Sequence, residues 1–101
     1  MSVEPGALLD KDPDAELNYI MDWTAWLGAS ATIDASEWFV SGPDSSLTIS
    51  TDEIIAGDLT TQVFLTGGTL HKSYTVTNRI TTNETPERID DRSFMLRIRQ
   101  R

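Results

Sequence analysis

Apolar and polar residues alternate with a period of two along much of this chain, the mark of strands with one buried face. The clearest run sets Tyr74, Val76, Asn78 and Ile80 against Thr75, Thr77, Arg79 and Thr81. A second strand over residues 61–65 precedes it, and Gly67-Gly68 is read as the hairpin corner between them. Upstream, Leu17, Tyr19, Met21 and Trp23 alternate with Asn18, Ile20, Asp22 and Thr24. Trp23 and Trp26 then stand three apart, so a short helical turn ended by Gly28 brings both rings to one side, where they plug the core. The spacing between Ile33 and Trp38 shifts, which predicts a bulge, and Ser41-Gly42-Pro43-Asp44 is a turn. Leu47, Ile49 and Thr51 begin another strand, with Ile54-Ile55 as a short edge beyond it. Residues 82–91 read as a polar connection, and Ser93 to Arg99 as the last strand, with Phe94, Leu96 and Ile98 inward and Met95, Arg97 and Arg99 outward.

About seven short strands in roughly 100 residues, with no sustained helical periodicity, predict an all-β fold: an immunoglobulin-like antiparallel β-sandwich. Within it, Tyr74-x-Val76 sits where such folds place a tyrosine corner, so the Tyr74 hydroxyl is expected to tie the incoming loop, and Val76 stands where antibody domains carry a cysteine. Trp23 and Trp38 are expected to be structural core residues. Residues 1–14, with Pro5, Gly6 and Pro13 and little patterning, are expected to form an extended N-terminal arm, and residues 15–101 a single sandwich domain.

Charge sharpens this picture. The net charge of −8 argues against nucleic-acid partners, because phosphate binding needs Lys and Arg. Residues 1–59 hold twelve Asp or Glu and only Lys11, whereas residues 60–101 hold seven Lys or Arg against four acids. Arg97, Arg99 and Arg101 alternate, so on a strand they form a basic stripe expected to protect an edge or to meet an acidic neighbour, the acidic half of another copy among them. Together with Asp10, Asp12 and Asp14 of the arm they are the candidate interface residues. The chain has no cysteine, which points to a reducing compartment. Its start has neither a basic cluster nor an apolar run, and no stretch of about 18 apolar residues occurs, so neither a secretion signal nor a membrane span is expected.

No motif carries catalytic or cofactor chemistry. Asp10, Asp12 and Asp14 open like a calcium loop, but Ala15 and Met21 stand where that loop needs Gly and Glu, so no metal is expected. His71 has no Cys or second His beside it, no serine sits in a G-x-S-x-G turn, and Gly67-Gly68-Thr69 lacks the Lys of a phosphate loop. The pairs Asp90-Asp91 and Glu84/Glu87 lie in a polar connection, and Asn83-Glu84-Thr85 is a formal glycosylation sequon. The three tryptophans leave a carbohydrate-binding module as a third functional reading, since sugars stack on exposed indoles.

Several words of the sequence are similar to a known family: Lys11-Asp12-Pro13-Asp14-Ala15, Leu17-Asn18-Tyr19 with Asp22-Trp23, Leu65-Thr66-Gly67-Gly68-Thr69, the run from Tyr74 to Thr82, and Asp91-Arg92-Ser93. They resemble small structural proteins of tailed bacteriophages labelled fiber-tail adaptors. The resemblance implies a non-enzymatic virion protein with an immunoglobulin-like sandwich, present in several copies, assembled in the host cytoplasm and linking the tail to fibers through other virion proteins. It implies no cofactor, no nucleic acid and no membrane. A capsid decoration or cement protein is the runner-up, because small β-sandwiches also decorate phage heads.

Overall fold

The computed structural model describes residues 2–55 and 57–100. Eight strands and one short helix follow in order: β1 Ser2–Val3, β2 Leu8–Lys11, β3 Glu16–Asp22, α1 Thr24–Leu27, β4 Ile33–Ser41, β5 Leu47–Ile54, β6 Thr60–Gly67, β7 Ser73–Thr82 and β8 Ile89–Ile98. They form two four-stranded sheets, the first in the order β1-β3-β6-β5 and the second in the order β2-β8-β7-β4. Apart from the edge strands of the arm, this is the partition of a constant-type immunoglobulin sandwich, and the fold class is the predicted one. All pairings are antiparallel except β1 on β3 and β2 on β8, which are parallel.

The arm is therefore woven into the sandwich. After β1 the chain turns through a bond from the Ala7 N–H to the Glu4 carbonyl and crosses to the other sheet. There the Gly6 N–H donates to the Ser93 carbonyl and the Met95 N–H to the Ala7 carbonyl. Both parallel pairs use short strands at a sheet edge, which cover two residues of β3 and four of β8.

The core follows from the period-two pattern. Tyr19, Met21, Val63, Leu65 and Leu47 point inward from the first sheet, and Tyr74, Val76, Ile80, Phe94, Leu96 and Ile98 from the second, all of them buried. Tyr19 and Phe94 meet across the sandwich, with ring centroids 5.4 Å apart. The predicted helical turn is α1, and its two rings pack edge to face with centroids 5.5 Å apart, Trp23 wholly buried and Trp26 partly. The predicted bulge falls between Ile33 and Ala35 on β4.

Three expectations need correction. The residues around Gly67-Gly68 are not a hairpin corner: β6 pairs with β3 and β5, β7 with β4 and β8, so the connection crosses from one sheet to the other. At Gly67 φ is +87°, and a Cβ there would lie 2.3 Å from the Ser46 carbonyl oxygen, so glycine is required by the crossing itself. The last strand begins at Ile89 and not at Ser93, because Asp90 to Arg92 continue the antiparallel ladder with β7. Residues 47–54 form one strand, with a register shift between Ile49 and Thr51, where the sequence pattern predicts a strand and a separate short edge.

Candidate interaction surfaces

Tyr74 is the second residue of β7, buried, and its hydroxyl lies at the centre of a polar corner. It accepts from the Thr69 N–H at 3.0 Å, five residues upstream, and donates to Asp44 Oδ1 at 2.7 Å. Asp44 also accepts from the Ser46 hydroxyl and N–H and from the Thr69 hydroxyl. These bonds, led by those of Ser46 and Tyr74, hold the Asp44 carboxyl well below the usual carboxylate range. Gly42 completes the corner, since a Cβ there would come within 2.4 Å of the Tyr74 ring. Two inter-strand connections, residues 42–46 and 68–72, are thus tied to one buried aromatic.

Tyr74→Phe is expected to lower stability by about 1 to 2 kcal/mol at neutral pH, the cost of removing a hydroxyl that serves several partners. Asp44 has a folded pKa below its unfolded one, so its contribution is present above about pH 4 and is lost as pH falls through the folded value. The gap between Tyr74→Phe and the parent should therefore narrow as pH falls from about 4 towards 2, while the part due to the Thr69 N–H bond persists. Thermal melts of both proteins across pH 2 to 7 check this, and an unchanged melting temperature at neutral pH counts against the corner.

The other structural candidates are buried: Val76 opposite Val40, Trp38 on β4 opposite Asn78, and Trp23 beneath the Arg92 guanidinium, 4.3 Å from its ring. Trp26 is covered by Arg88, 4.4 Å from its ring. The open indole platform that motivated the carbohydrate reading is therefore not formed by these three side chains.

The arginine stripe is placed differently from the arm's aspartates than a free surface would require. Arg97 donates from Nε to Asp10 Oδ1 at 2.9 Å, an ion pair across β2 and β8 within one chain. Its acidic neighbour is first of all its own arm. The Arg99 N–H donates to the Lys11 carbonyl and its side chain is exposed, while Arg101 lies outside the described residues. Asp12 accepts from the Asp14 N–H in a local turn. Between these acids lies a residue that pattern reading passes over: Lys11 is wholly buried, and its ammonium donates to the carbonyls of Gly67 at 2.8 Å and Asp12 at 2.9 Å. A lysine beside three aspartates reads as surface, and nothing in the spacing marks it as inward.

Basic residues are confined to one sheet. The strands of the first sheet carry Glu16, Asp22, Asp52 and Glu53 and no Lys or Arg, whereas those of the second carry Lys11, Arg79, Arg92 and Arg97 among Asp10, Asp34, Glu37, Asp90 and Asp91. The outer face of the first sheet is a hydroxyl and amide surface, laced by bonds from Asn18 to Gln62 and from Gln62 to Glu53. On the second sheet, Arg79 makes a two-pronged bond to Asp91, which holds that carboxyl below its usual range, and lies over the Phe39 ring at 5.2 Å. Beside them Ile89 and Asp90 complete a shallow depression. Four large apolar side chains stand exposed on this face: Leu8 at 53%, Phe39 at 40%, Ile89 at 59% and Met95 at 43%. Of these the sequence pattern places only Met95 outward. Phe39 was hidden in the apolar run with Trp38 and Val40, whose alternation becomes clear only once β4 is set against β7.

Fold and surfaces together define a small immunoglobulin-like β-sandwich whose two outer faces differ in chemistry. A family model described as the podophage GP4 fiber-tail adaptor protein gp77 matches residues 11–97, and the chain belongs to that family. The resemblance carried by the Lys11 to Ala15, Leu65 to Thr69 and Tyr74 to Thr82 words is thereby confirmed. Among solved structures, the chain is similar to the crystal structure of the cysteine protease inhibitor EhICP2 from Entamoeba histolytica. The two are 14% identical, with a TM-score of 0.58 over 95% of this chain and 88% of that one, a likeness of fold alone. Among curated proteins, none matches the sequence.

Proposed function

We propose that this chain is a non-enzymatic structural protein of the phage virion, present in several copies, that joins the tail to its fibers through protein–protein contacts. The observation that carries the reading is the family match, which spans residues 11–97 and so takes in every strand of the sandwich from β3 to β7 and most of β8. The surfaces suit the role. A connector needs two faces of different chemistry so that its two partners do not compete for one site. The first sheet offers carboxylates and hydroxyls with no Lys or Arg on its strands, which favours a basic partner; the second offers apolar side chains among ion pairs. The arm residues Asp10, Asp12 and Asp14 and the end of β8 with Arg97 and Arg99 share one rim, where a neighbouring virion protein meets both charge signs. Assembly proceeds in the host cytoplasm, as suits a sandwich that holds without cysteines.

Electron cryomicroscopy of the intact particle tests the reading. Density for the sandwich is expected in several copies between tail and fiber, and particles made without the chain are expected to have tails without fibers. Copies at capsid symmetry axes, with fibers retained in the chain's absence, would identify a decoration protein and overturn the proposal.

A further inference from the structure

We propose that the outer face of the β2-β8-β7-β4 sheet is a self-association surface, covered face to face by a second copy of this chain. The register places its apolar side chains at both ends and across the middle. Leu8 stands opposite Met95, Ile89 opposite Thr81, and Phe39 opposite Thr77, which in turn faces Ser93. Between them stand the small side chains Ala35, Ser41, Thr75, Thr77, Thr81 and Ser93 and two charged rows, Glu37-Arg79-Asp91 across three strands and Asp10-Arg97 across two. Strands of four, ten, ten and nine residues, at ~3.3 Å per residue and about 4.8 Å apart, make a surface of roughly 520 Å² per copy, so two copies bury about 1,000 Å², the size of a weak, concentration-dependent interface.

Electrostatics selects the occupant. The chain carries a net charge of −8, so two copies repel each other over most of their surfaces. A copy that approached the outer face of the first sheet would meet carboxylates with no Lys or Arg on their strands. On the second sheet the charges balance: the alternation that turns Met95 and Arg97 outward continues to Arg99, and Arg79, Arg97 and Arg99 stand against Glu37, Asp10 and Asp91. Its polar groups are also already paired within the chain, Arg79 with Asp91, Arg97 with Asp10, and the Thr77 hydroxyl with that of Ser93 at 2.8 Å. Covering them strands few donors or acceptors. A two-fold interface uses one patch twice and so needs apolar anchors and both charge signs within the same patch, which this face has.

Sedimentation velocity on the intact chain, from about 1 μM to about 1 mM, tests the proposal. A concentration-dependent shift from monomer to dimer is expected. Met95→Asp and Phe39→Asp, each at an exposed position and each expected to keep a cooperative melt, should raise the concentration of half-association by at least about tenfold. Thr48→Asp adds the same charge on the outer face of the other sheet and should leave that concentration unchanged. A parent that stays monomeric over the whole range, or a Thr48→Asp effect equal to that of Met95→Asp, overturns the proposal; the face then belongs to a tail or fiber protein. Fiber attachment to particles is read separately, so failure of the dimer leaves the adaptor reading standing, and failure of that reading leaves the dimer standing.

Discussion

Asn78→Leu is expected to destabilise the protein by about 3 to 5 kcal/mol, more than any other single replacement of a polar side chain here. Asn78 is wholly buried on β7 and uses both ends of its amide. Its Oδ1 accepts from the Trp23 indole N–H at 2.9 Å and from the Thr61 hydroxyl at 2.6 Å. Its Nδ2 donates to the Ser36 hydroxyl at 2.9 Å and to the Glu37 carbonyl at 3.0 Å. The first two partners belong to the side of the first sheet and the last two to β4, so this one side chain couples the sheets through the core. Replacing a buried polar group by an apolar one is cheap only when its partners are replaced too. Here leucine leaves an indole N–H, two hydroxyls and a carbonyl without these bonds, at about 1 to 3 kcal/mol each where no water reaches them. Thr61→Val, which removes a single donor, should cost only about 1 kcal/mol. Urea denaturation checks both values: a lower midpoint at unchanged slope is a loss of stability with no change in the surface exposed on unfolding. An Asn78→Leu protein within about 1 kcal/mol of the parent would show that the network contributes little.

Much of the fold is legible because its strongest signals are local. The alternation in β3, β6 and β7 marks the inner faces, the shifted spacing before Trp38 marks the bulge, and the Trp23–Trp26 pair marks α1. The pairing of those strands is less legible. Gly67-Gly68 supplies positive φ equally well to a hairpin and to a crossing between sheets, and only the partners of β6 and β7 tell them apart. β1 and β2 are too short for a period to appear and pair in parallel with strands remote in sequence. The start of β8 has no apolar alternation to mark it, because Asp90, Asp91 and Arg92 make both faces of the strand polar at that end. The candidate surfaces show the same division. Arg97 and Met95 could be placed outward from alternation alone, whereas the Asp10 partner of Arg97 and the exposure of Leu8 and Phe39 depend on a neighbouring strand.

Lys11 shows how far a buried polar residue can depart from its sequence context, and its removal is the second large effect expected. Its stem runs from β2 of the second sheet towards the Gly67 carbonyl at the end of β6 in the first, so it pins the arm to both sheets. Burial pushes its ammonium pKa down, an effect that the charges of Asp12 and Asp14 oppose. Two terms compete when it is replaced. Loss of the charge removes a desolvation cost, whereas loss of the stem removes apolar burial and leaves a cavity. Lys11→Met keeps the stem and should cost only about 1 kcal/mol, the imbalance left by two carbonyls without their donor. Lys11→Ala loses both and should cost about 3 kcal/mol. The loss should also be local in a way that hydrogen exchange can read. The Met95 and Arg99 amides donate to the Ala7 and Lys11 carbonyls of the arm, so both should exchange faster in Lys11→Ala while the Tyr74 and Val76 amides in the body of the second sheet follow global unfolding. Lys11→Ala with parental stability and parental protection at Met95 and Arg99 would mean that the ladder between β2 and β8 holds the arm without the lysine.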